Sequence, residues 1–191
     1  MSTSFKIKIN NFTKTYPEKV IHIESMSLTK KVTIFVGENG SGKSTILKGL
    51  LKLISYQGTI SSNYTVSYMP ENPHFPLDIT VNQLLFNLYQ ITNNDYDYHS
   101  FISEYGLEGK LHSMINTLSK GMKSKLNLIQ CIMRDTDVYI LDEPLNGLDE
   151  ESVTKLINHI NNTNKHFIIS SHLEGAFKVL NKEIISLIWG Y

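Results

Sequence analysis

Residues 32–45 read Val32-Thr33-Ile34-Phe35-Val36-Gly37-Glu38-Asn39-Gly40-Ser41-Gly42-Lys43-Ser44-Thr45. An apolar, β-branched run therefore leads into a glycine-rich segment, and a helical pattern continues over 45–54. The segment 37–45 satisfies the pattern G-x-x-x-x-G-K-[ST], in which glycines let backbone N–H groups turn inward around a phosphate. The N-terminus of the following helix adds a partial positive charge. The sequence therefore predicts a strand, a phosphate-binding loop and a helix, in this order.

Specific side chains of this loop suit a nucleotide. Lys43 can reach the β- and γ-phosphates, and the Ser44 hydroxyl can bind Mg²⁺. The predicted nucleotide-binding residues of the loop are Gly37, Asn39, Gly40, Ser41, Gly42, Lys43, Ser44 and Thr45. The alternative is a chance match in a glycine-containing turn, and the strand-to-helix context argues against it. The motif by itself leaves kinases, GTPases and many ATPases open.

A second apolar strand ends in a pair of carboxylates. It reads Val138-Tyr139-Ile140-Leu141-Asp142-Glu143-Pro144, and ligands of an open α/β sheet bind at the carboxyl ends of its strands. Asp142 can hold Mg²⁺, directly or through water, and Glu143 can polarise an attacking water. The alternative is a solvated acidic loop after a core strand. The phosphate-binding loop elsewhere in the chain favours the nucleotide site.

Strand-like and helical segments alternate along the chain, which is typical of an α/β domain. The predicted strands are 32–36, 65–69, 138–141, 167–169 and 184–189. Most lack in–out alternation, as expected for a parallel sheet that is covered on both faces. Helical spacing marks 118–133 and 153–160, the second after the candidate cap Asp149. The segment 72–117 is predicted to form a small helical insertion in this core.

Bulk composition excludes several classes of protein. The 191 residues carry equal numbers of acidic and basic side chains, which argues against a general nucleic-acid binder and against charge-driven docking on anionic lipid. Cys131 is the only cysteine, so no disulfide forms within one chain and a reducing, cytosolic compartment is expected. No run approaches the roughly 20 apolar residues that span a bilayer. Any membrane part would therefore belong to another chain.

Further short motifs complete a set in a definite order. They are Tyr16, Tyr68-Met69-Pro70-Glu71, Leu118-Ser119-Lys120-Gly121-Met122, Asn146-Gly147-Leu148-Asp149 and Ser170-Ser171-His172. Together with the phosphate-binding loop and the acid pair, the set resembles the nucleotide-binding domains of ABC transporters. In that family these motifs correspond to the adenine-stacking aromatic residue, the Q-loop, the signature, the D-loop and the H-loop. The resemblance covers essentially the whole chain.

The resemblance implies a single ABC ATPase domain over 1–191. Its fold would be an α/β P-loop NTPase (RecA-like) core with a mostly parallel sheet, a small N-terminal antiparallel β part and the helical subdomain at 72–117. ATP and Mg²⁺ would be the cofactors. The working unit would be a homo- or heterodimer in which each ATP lies between the phosphate-binding loop of one subunit and the signature of the other.

The resemblance also assigns roles to residues. The implied catalytic residues are Glu143, His172 and Lys43, and the implied Mg²⁺ ligands are Ser44, Glu71 and Asp142. The implied nucleotide contacts outside the loop are Tyr16, Glu71, Ser119, Gly121 and Asp149. Tyr16 would stack on adenine, Ser119 and Gly121 would face the γ-phosphate of the opposite subunit, and Asp149 would reach across the dimer seam.

The chain departs from the family pattern in a few places. Lys120 and Met122 replace the common Gly and Gln of the signature, and Glu71 replaces the usual Q-loop glutamine. A carboxylate can still ligate Mg²⁺. The interval from Lys43 to Glu71 is short, so 59–65 leaves room for little more than a hairpin.

The implied function is that of the ATPase subunit of an exporter-type ABC transporter. It would lie on the cytoplasmic face of the membrane, bound to a separate transmembrane permease and to no nucleic acid. Phe75 and Phe86 would contribute to the permease docking surface if exposed, or to the core of the helical part if buried. A soluble ABC-type ATPase acting on a non-transport complex is an alternative, as is a nucleotide sensor without turnover, which Glu143 disfavours.

Overall fold

A computed structural model describes residues 5–92, 97–172 and 174–187. In chain order the strands are β1 (Ile7–Tyr16), β2 (Lys19–Leu28), β3 (Val32–Val36), β4 (Gln57–Ser61), β5 (Val66–Met69), β6 (Val138–Asp142), β7 (His166–Ser171) and β8 (Glu183–Ser186). The α-helices are α1 (Lys43–Leu50), α2 (Val81–Thr92), α3 (Tyr98–Glu104), α4 (Lys120–Ile132) and α5 (Glu150–Asn162).

A parallel sheet of five strands, in the order β5-β6-β7-β3-β8, forms the centre of the molecule. Each neighbouring pair in it is parallel, which confirms the predicted α/β class with a mostly parallel sheet. Because both faces of the sheet are covered, its central strands are mostly apolar, and every residue of β6 is buried. The carboxyl ends of β3, β5, β6 and β7 meet at one edge, where the predicted site residues follow them.

Side chains alternate along each strand between separate apolar clusters. Ile34 and Leu141 point into a cluster that contains Leu128 of α4 and Leu156 of α5. Phe35, on the opposite face, joins a second cluster with α1 and the N-terminal strands. The sheet is thus held between helices on one face and α1 with the antiparallel strands on the other.

The small antiparallel sheet has the strand order β2-β1-β4, which confirms the expected N-terminal β part. The segment 59–65, predicted to supply little more than a hairpin, contributes to a single strand that pairs with β1 rather than turning back on itself. Its pairing shifts register between Asn10 and Thr13. Gly58, with φ 96°, lies against the Asn11 carbonyl, where a Cβ would come within 2.2 Å of that oxygen.

The chain between β5 and α4 is helical, as predicted. It contains α2, α3 and short 3-10 helices at Glu108–Lys110 and Ile115–Thr117. Val81, Leu85 and Phe101 of this part belong to the same apolar cluster as the sheet strands. The division of the chain into a core and a separate unit at 72–117 stays a prediction.

The candidate docking residues separate in the structure. Phe75 is half-buried and packs against the main apolar cluster, whereas the Phe86 side chain is 48% exposed. Phe75 therefore contributes to the core, whereas a docking role for the exposed Phe86 stays a prediction. In the part of the chain that the structure describes, no helix has the length and apolar character needed to cross a membrane.

Boundaries differ modestly from the sequence prediction. The helix expected over 45–54 begins at Lys43 and ends at Leu50, because Lys52 takes a left-handed backbone with φ 55°. The last strand covers Glu183–Ser186 instead of 184–189, and 188–189 lie outside the described residues. Asp149 caps α5 as predicted, accepting a hydrogen bond from the Ser152 N–H at 2.9 Å.

Candidate functional site

The phosphate-binding loop joins β3 to α1. Gly40 and Gly42 adopt left-handed backbone conformations, with φ 82° and 94°, which glycine adopts at little cost. The Lys43 ammonium group donates to the carbonyl of Gly37 at 2.7 Å and to that of Glu38 at 3.1 Å. The loop is therefore wrapped around its own lysine, whose charge faces the space that the loop encloses.

A cavity of about 240 Å³ opens at this loop. Residues 39–45 line it, and so do Lys19, Glu71 and Glu143. Gly37 takes part through its carbonyl, which holds Lys43. The structure thus brings together all the predicted loop residues with a carboxylate from the segment after β5 and another from the segment after β6.

Glu143 follows β6 and is buried. Its Oε1 lies 3.4 Å from the Lys43 ammonium group. Its Oε2 pairs with His172 Nδ1 at 2.8 Å and accepts from the His172 backbone N–H at 3.3 Å. Buried carboxylates need such partners because desolvation is costly. The predicted catalytic residues Lys43, Glu143 and His172 therefore form one connected group.

The backbone of Glu143 is unusual. Its φ is 49°, in the left-handed region that residues other than glycine rarely occupy. The Glu143 N–H is held by the hydroxyl of Ser170 at 2.9 Å, with the Ser170 carbonyl also near, at 3.2 Å. Such a conformation persists only where the surroundings restrain it, and it is commonest at functional sites.

Asp142 is buried and accepts hydrogen bonds on both carboxylate oxygens. Ser44 and Ser170 donate to Oδ1 at 3.0 and 2.5 Å, and the Tyr68 hydroxyl donates to Oδ2 at 3.4 Å. Burial, followed by the negative charge of Asp142, raises the pKa of the Tyr68 phenol, so this hydroxyl remains a donor. Ser44 and Asp142, predicted Mg²⁺ ligands, are direct neighbours.

Glu71, the third predicted Mg²⁺ ligand, lies in the cavity lining just after the carboxyl end of β5. The segment that carries it is tied to α4, because the Asn127 side-chain amide donates to the carbonyl of Pro70 at 2.8 Å. Asn127 is buried, and Gln130 donates to its Oδ1 at 3.0 Å. Helix α4 therefore fixes the residue before Glu71.

Tyr16 lies at the end of β1, beside the loop. Its hydroxyl is 3.2 Å from the Thr45 hydroxyl, and the ammonium groups of Lys14 and Lys19 lie 5.7 and 5.9 Å from its ring centre. Lys19 also donates to the Gly40 carbonyl. Lys19 was missed by sequence reasoning. Lys19 pairs with Tyr16 across the β1–β2 hairpin. The sequence indicates this proximity only if the turn between β1 and β2 is predicted first.

The remaining predicted residues, Ser119, Gly121 and Asp149, form a second group. Together with Lys125, which sequence reasoning did not assign, we call it the signature cluster. Ser119 caps α4, accepting from the Met122 N–H at 3.2 Å. Lys125 lies 2.7 Å from Asp149 and holds the pKa of that carboxyl well below its ordinary value. None of these residues lines the loop cavity. Within one chain, the structure does not bring the signature cluster to the phosphate-binding loop.

Ser170 belongs to the motif that contains His172, but sequence reasoning assigned it no role. It joins Asp142, Glu143, Lys43 and His172 in what we call the acid–lysine cluster. The buried serines at the end of β7 were a usable signal, since β7 pairs Ser170 directly with Asp142 of β6.

The fold and this site define a P-loop nucleoside-triphosphate-binding domain. Residues 24–146 match the family described as ABC transporter. The chain belongs to this family, whose ATP-binding domains bind ATP, generally with Mg²⁺, and hydrolyse it. Its ATPase subunits generally dimerise and pair with a membrane permease.

Individual relatives differ in what their names describe. The zinc import ATP-binding protein ZnuC of Hydrogenovibrio crunogenus is 30% identical over 84% of this chain and 68% of its own length. The cytochrome c biogenesis ATP-binding export protein CcmA of Reclinomonas americana is 34% identical over 75% of this chain and 73% of its own. An archaeal ribosome recycling factor superposes with a TM-score of 0.81 at 25% identity, over 94% of this chain and 36% of the factor.

Length also separates the chain from its relatives. It spans between 55% and 68% of the length of the three curated relatives ZnuC, YthP and YhcH. The last two are Bacillus subtilis proteins described as uncharacterized ABC transporter ATP-binding proteins.

Proposed function

We propose that this chain binds and hydrolyses ATP at the loop cavity and drives an ABC transporter whose permease is a separate chain. One observation carries the catalytic part of the proposal. Glu143 Oε1 is buried, lies 3.4 Å from Lys43, and has no hydrogen-bond partner among the described residues. Because Oε2 is taken by His172, Oε1 is the oxygen left to accept a proton.

The chemistry follows from these positions. A water oxygen bonds to the γ-phosphorus, the bond from that phosphorus to the β–γ bridging oxygen breaks, and ADP and phosphate leave. Glu143 takes the proton of the attacking water. Lys43 exchanges its bonds with the Gly37 and Glu38 carbonyls for bonds to phosphate oxygens, which stabilises the charge on the transferred group.

The oxygen-donor residues of the site fit Mg²⁺. Ser44 and Asp142 present a hydroxyl and a carboxylate within 3.0 Å of each other, and Glu71 adds a second carboxylate to the cavity lining. Hard oxygen donors of this kind are the ones that Mg²⁺ prefers. When bound, Mg²⁺ would neutralise charge on the β- and γ-phosphates.

We infer that a second copy, identical or related, completes each ATP site. The exposed Ser119 and the Gly121 backbone at the start of α4 form an anion-attracting helix end, yet they lie outside the cavity of their own chain. A twofold pair would place the signature cluster of one copy against the cavity of the other. Asp149, exposed beside Lys125, would lie at the seam.

The helical surface around α2 is the proposed docking site for a cytoplasmic helix of the permease. Leu77 and Phe86 are 55% and 48% exposed there, and such apolar groups favour a partner. We propose an exporter-type permease, on the resemblance of the motifs around Glu71 and Ser119, and a place on the cytoplasmic face of the membrane. The balanced charge supports a protein partner and no nucleic acid.

The catalytic proposal is tested with Glu143→Gln. We expect turnover, measured as phosphate release, to fall by about 10²- to 10⁴-fold, because the proton acceptor is lost. ATP binding should persist, so the variant should accumulate as an ATP-bound dimer in size-exclusion chromatography with light scattering. Glu24→Gln, on the exposed face of β2, is the matched control. Undiminished phosphate release from the Glu143 variant would contradict the proposal.

The transport role is tested separately. An affinity-tagged chain purified from detergent-solubilised membranes should bring down an integral membrane protein in stoichiometric amount. The second candidate function is an ATPase acting on a soluble complex, which the likeness to the archaeal ribosome recycling factor favours. Recovery of a soluble complex without any membrane protein would support that candidate and overturn the transport role.

A further inference from the structure

Ser170 occupies a position between both members of the acid pair. It lies near the carboxyl end of β7, it is 0% exposed, and it pairs in parallel register with Asp142. Its hydroxyl donates to Asp142 Oδ1 at 2.5 Å. The Ser170 hydroxyl oxygen also accepts a hydrogen bond from the Glu143 backbone N–H at 2.9 Å. One hydroxyl group therefore connects the side chain of Asp142 to the main chain of Glu143.

The Ser170 hydroxyl donates one of these hydrogen bonds and accepts the other. Its only hydrogen is directed to Asp142, because a backbone N–H cannot accept and the Glu143 N–H needs an acceptor. A hydrogen bond to an ionised carboxylate is stronger than one between neutral groups. Both bonds are buried, so losing the hydroxyl removes one of two hydrogen bonds from each group: the Glu143 N–H keeps the Ser170 carbonyl, and Asp142 Oδ1 keeps Ser44.

The second bond holds a strained residue. Glu143 has φ 49°, and its N–H donates to the Ser170 hydroxyl at 2.9 Å and to the Ser170 carbonyl at 3.2 Å. The direction of the Glu143 side chain follows from this backbone conformation. Without the hydroxyl, only the Ser170 carbonyl would still restrain the N–H, so the Glu143 peptide could shift toward a more populated region and move Oε1 relative to Lys43.

The first bond orients Asp142 independently of Ser44. Both hydroxyls share Oδ1, but the Ser44 hydroxyl is also the group proposed to ligate Mg²⁺. Ser170 is buried behind the carboxylate and has no such second role. It would keep the carboxylate plane fixed while Ser44 changes partners.

We propose that Ser170 is a positioning residue for ATP hydrolysis, which orients Asp142 toward Mg²⁺ and Glu143 toward water through one shared hydroxyl. This inference rests on the proposed roles of Asp142 and Glu143. It predicts a defect with two parts, one in Mg²⁺-dependent nucleotide binding and one in turnover, from the loss of one atom.

The test compares variants at this position with matched shape. Ser170→Val and Ser170→Thr have nearly equal volume, and only the threonine keeps a hydroxyl. Ser170→Ala removes the oxygen without adding bulk. Ser67→Ala is the control for losing a buried serine hydroxyl in the same sheet, since Ser67 is 1% exposed and donates to the Cys131 carbonyl at 2.8 Å.

We expect Ser170→Ala and Ser170→Val to lower kcat by about 10- to 100-fold, the range typical of groups that orient metal ligands. Calorimetric titration should show weaker ATP binding in the presence of Mg²⁺ and unchanged binding in EDTA. Ser170→Thr should recover both properties. Ser67→Ala should lower the thermal midpoint to a similar degree as Ser170→Ala and leave both properties unchanged.

Specific outcomes would overturn the proposal. One is a folded Ser170→Ala protein that keeps wild-type kcat and Mg²⁺-dependent ATP affinity. The other is an equal loss of kcat and affinity in Ser170→Thr and Ser170→Val while their thermal midpoints equal that of Ser170→Ala. Glu143→Gln is assayed in parallel. If that variant retained full turnover, the proposed function would be at fault rather than the role of Ser170.

Discussion

The acid–lysine cluster and the signature cluster are built from opposite kinds of contact. Lys43, Asp142 and Glu143 are buried and are joined by contacts between segments that are distant in sequence. Ser119 and Asp149 are exposed, and their side chains bond to groups within their own helical turn or on one neighbouring helix. One cluster has its partners within the chain, and the other presents its polar groups outward.

This difference separates the part of the site that one chain completes alone from the part proposed to need a second copy. Groups that perform chemistry need fixed positions and a low dielectric, and the sheet edge supplies both. The groups proposed to contact a second copy lie on the surface. We therefore expect substitutions in the acid–lysine cluster to act on the monomer, and substitutions in the signature cluster to act through association.

The largest expected effect in the monomer comes from Lys43→Ala. ATP affinity should fall by about 3 kcal/mol, roughly 100-fold, because charge-assisted hydrogen bonds to phosphate are lost. Isothermal titration calorimetry with a non-hydrolysable ATP analogue measures it. Lys48→Ala removes an exposed lysine from the same helix and should bind like wild type. Unchanged affinity in the Lys43 variant would remove this residue from the site.

A smaller effect is expected at the rim of the cavity. Tyr16→Ala should weaken ATP binding by about 1–3 kcal/mol if the ring stacks on the base. Tyr16→Phe should bind nearly as well, since the stacking surface is kept and only the contact with Thr45 is lost. Equal affinities for all three proteins, measured by the same titration, would show that Tyr16 merely packs beside the loop.

The signature cluster is tested by Ser119→Ala. Loss of the helix cap should lower the free energy of unfolding by about 1 kcal/mol, and monomer affinity for ATP should not change. In the Glu143→Gln background, the ATP-dependent dimer seen by light scattering should disappear. Ser100→Ala, a change near the start of α3, is the control. A dimer that persists without the Ser119 hydroxyl would break the contrast between the clusters.

The smallest effect concerns neither cluster. His159 of α5 is enclosed by Phe101, Tyr139 and Phe167 at ring distances of 6.2–6.4 Å, and burial lowers its pKa below the ordinary 6.5. As pH falls below 6.5, His159 is protonated in the unfolded chain but stays neutral in the folded chain. The free energy of unfolding should therefore fall.

Chemical denaturation between pH 7 and pH 5 measures this slope. His159→Leu should make stability less dependent on pH over that window, whereas His112→Gln, at an exposed position, should not. Burial also lowers the pKa of His166, so some slope should remain in the His159 variant. A slope identical to wild type would show that His159 titrates normally.

Local patterns predicted the parts of the site that are continuous in sequence. The loop at 37–45 and the pair Asp142–Glu143 each combine a strand with its polar end, and the carboxyl ends of parallel strands meet at one edge. Helix caps were equally accessible, because Asp149 is bonded within the first turn of α5. These features depend on spacing alone.

Features set by strand register were not predictable in the same way. The bridge through Ser170 requires β7 to pair with β6 in one register, and the place of Lys19 depends on the β1–β2 hairpin. The strand β4 was mistaken for part of a hairpin, since its partner lies about fifty residues earlier in β1. A shift of one residue reverses which face a side chain occupies, and periodicity alone does not set the register.

The hydrogen bond from Asn127 to Pro70 has a mechanical consequence. Helix α4 contains 13 residues, so it is about 20 Å long. Ser119 caps its first turn, and Asn127 in its middle donates a hydrogen bond to the carbonyl of the residue before Glu71. Any rotation of α4 must therefore either move this peptide as well or break the buried hydrogen bond from Asn127. The position of α4 and that of the segment carrying Glu71 are thus mechanically coupled.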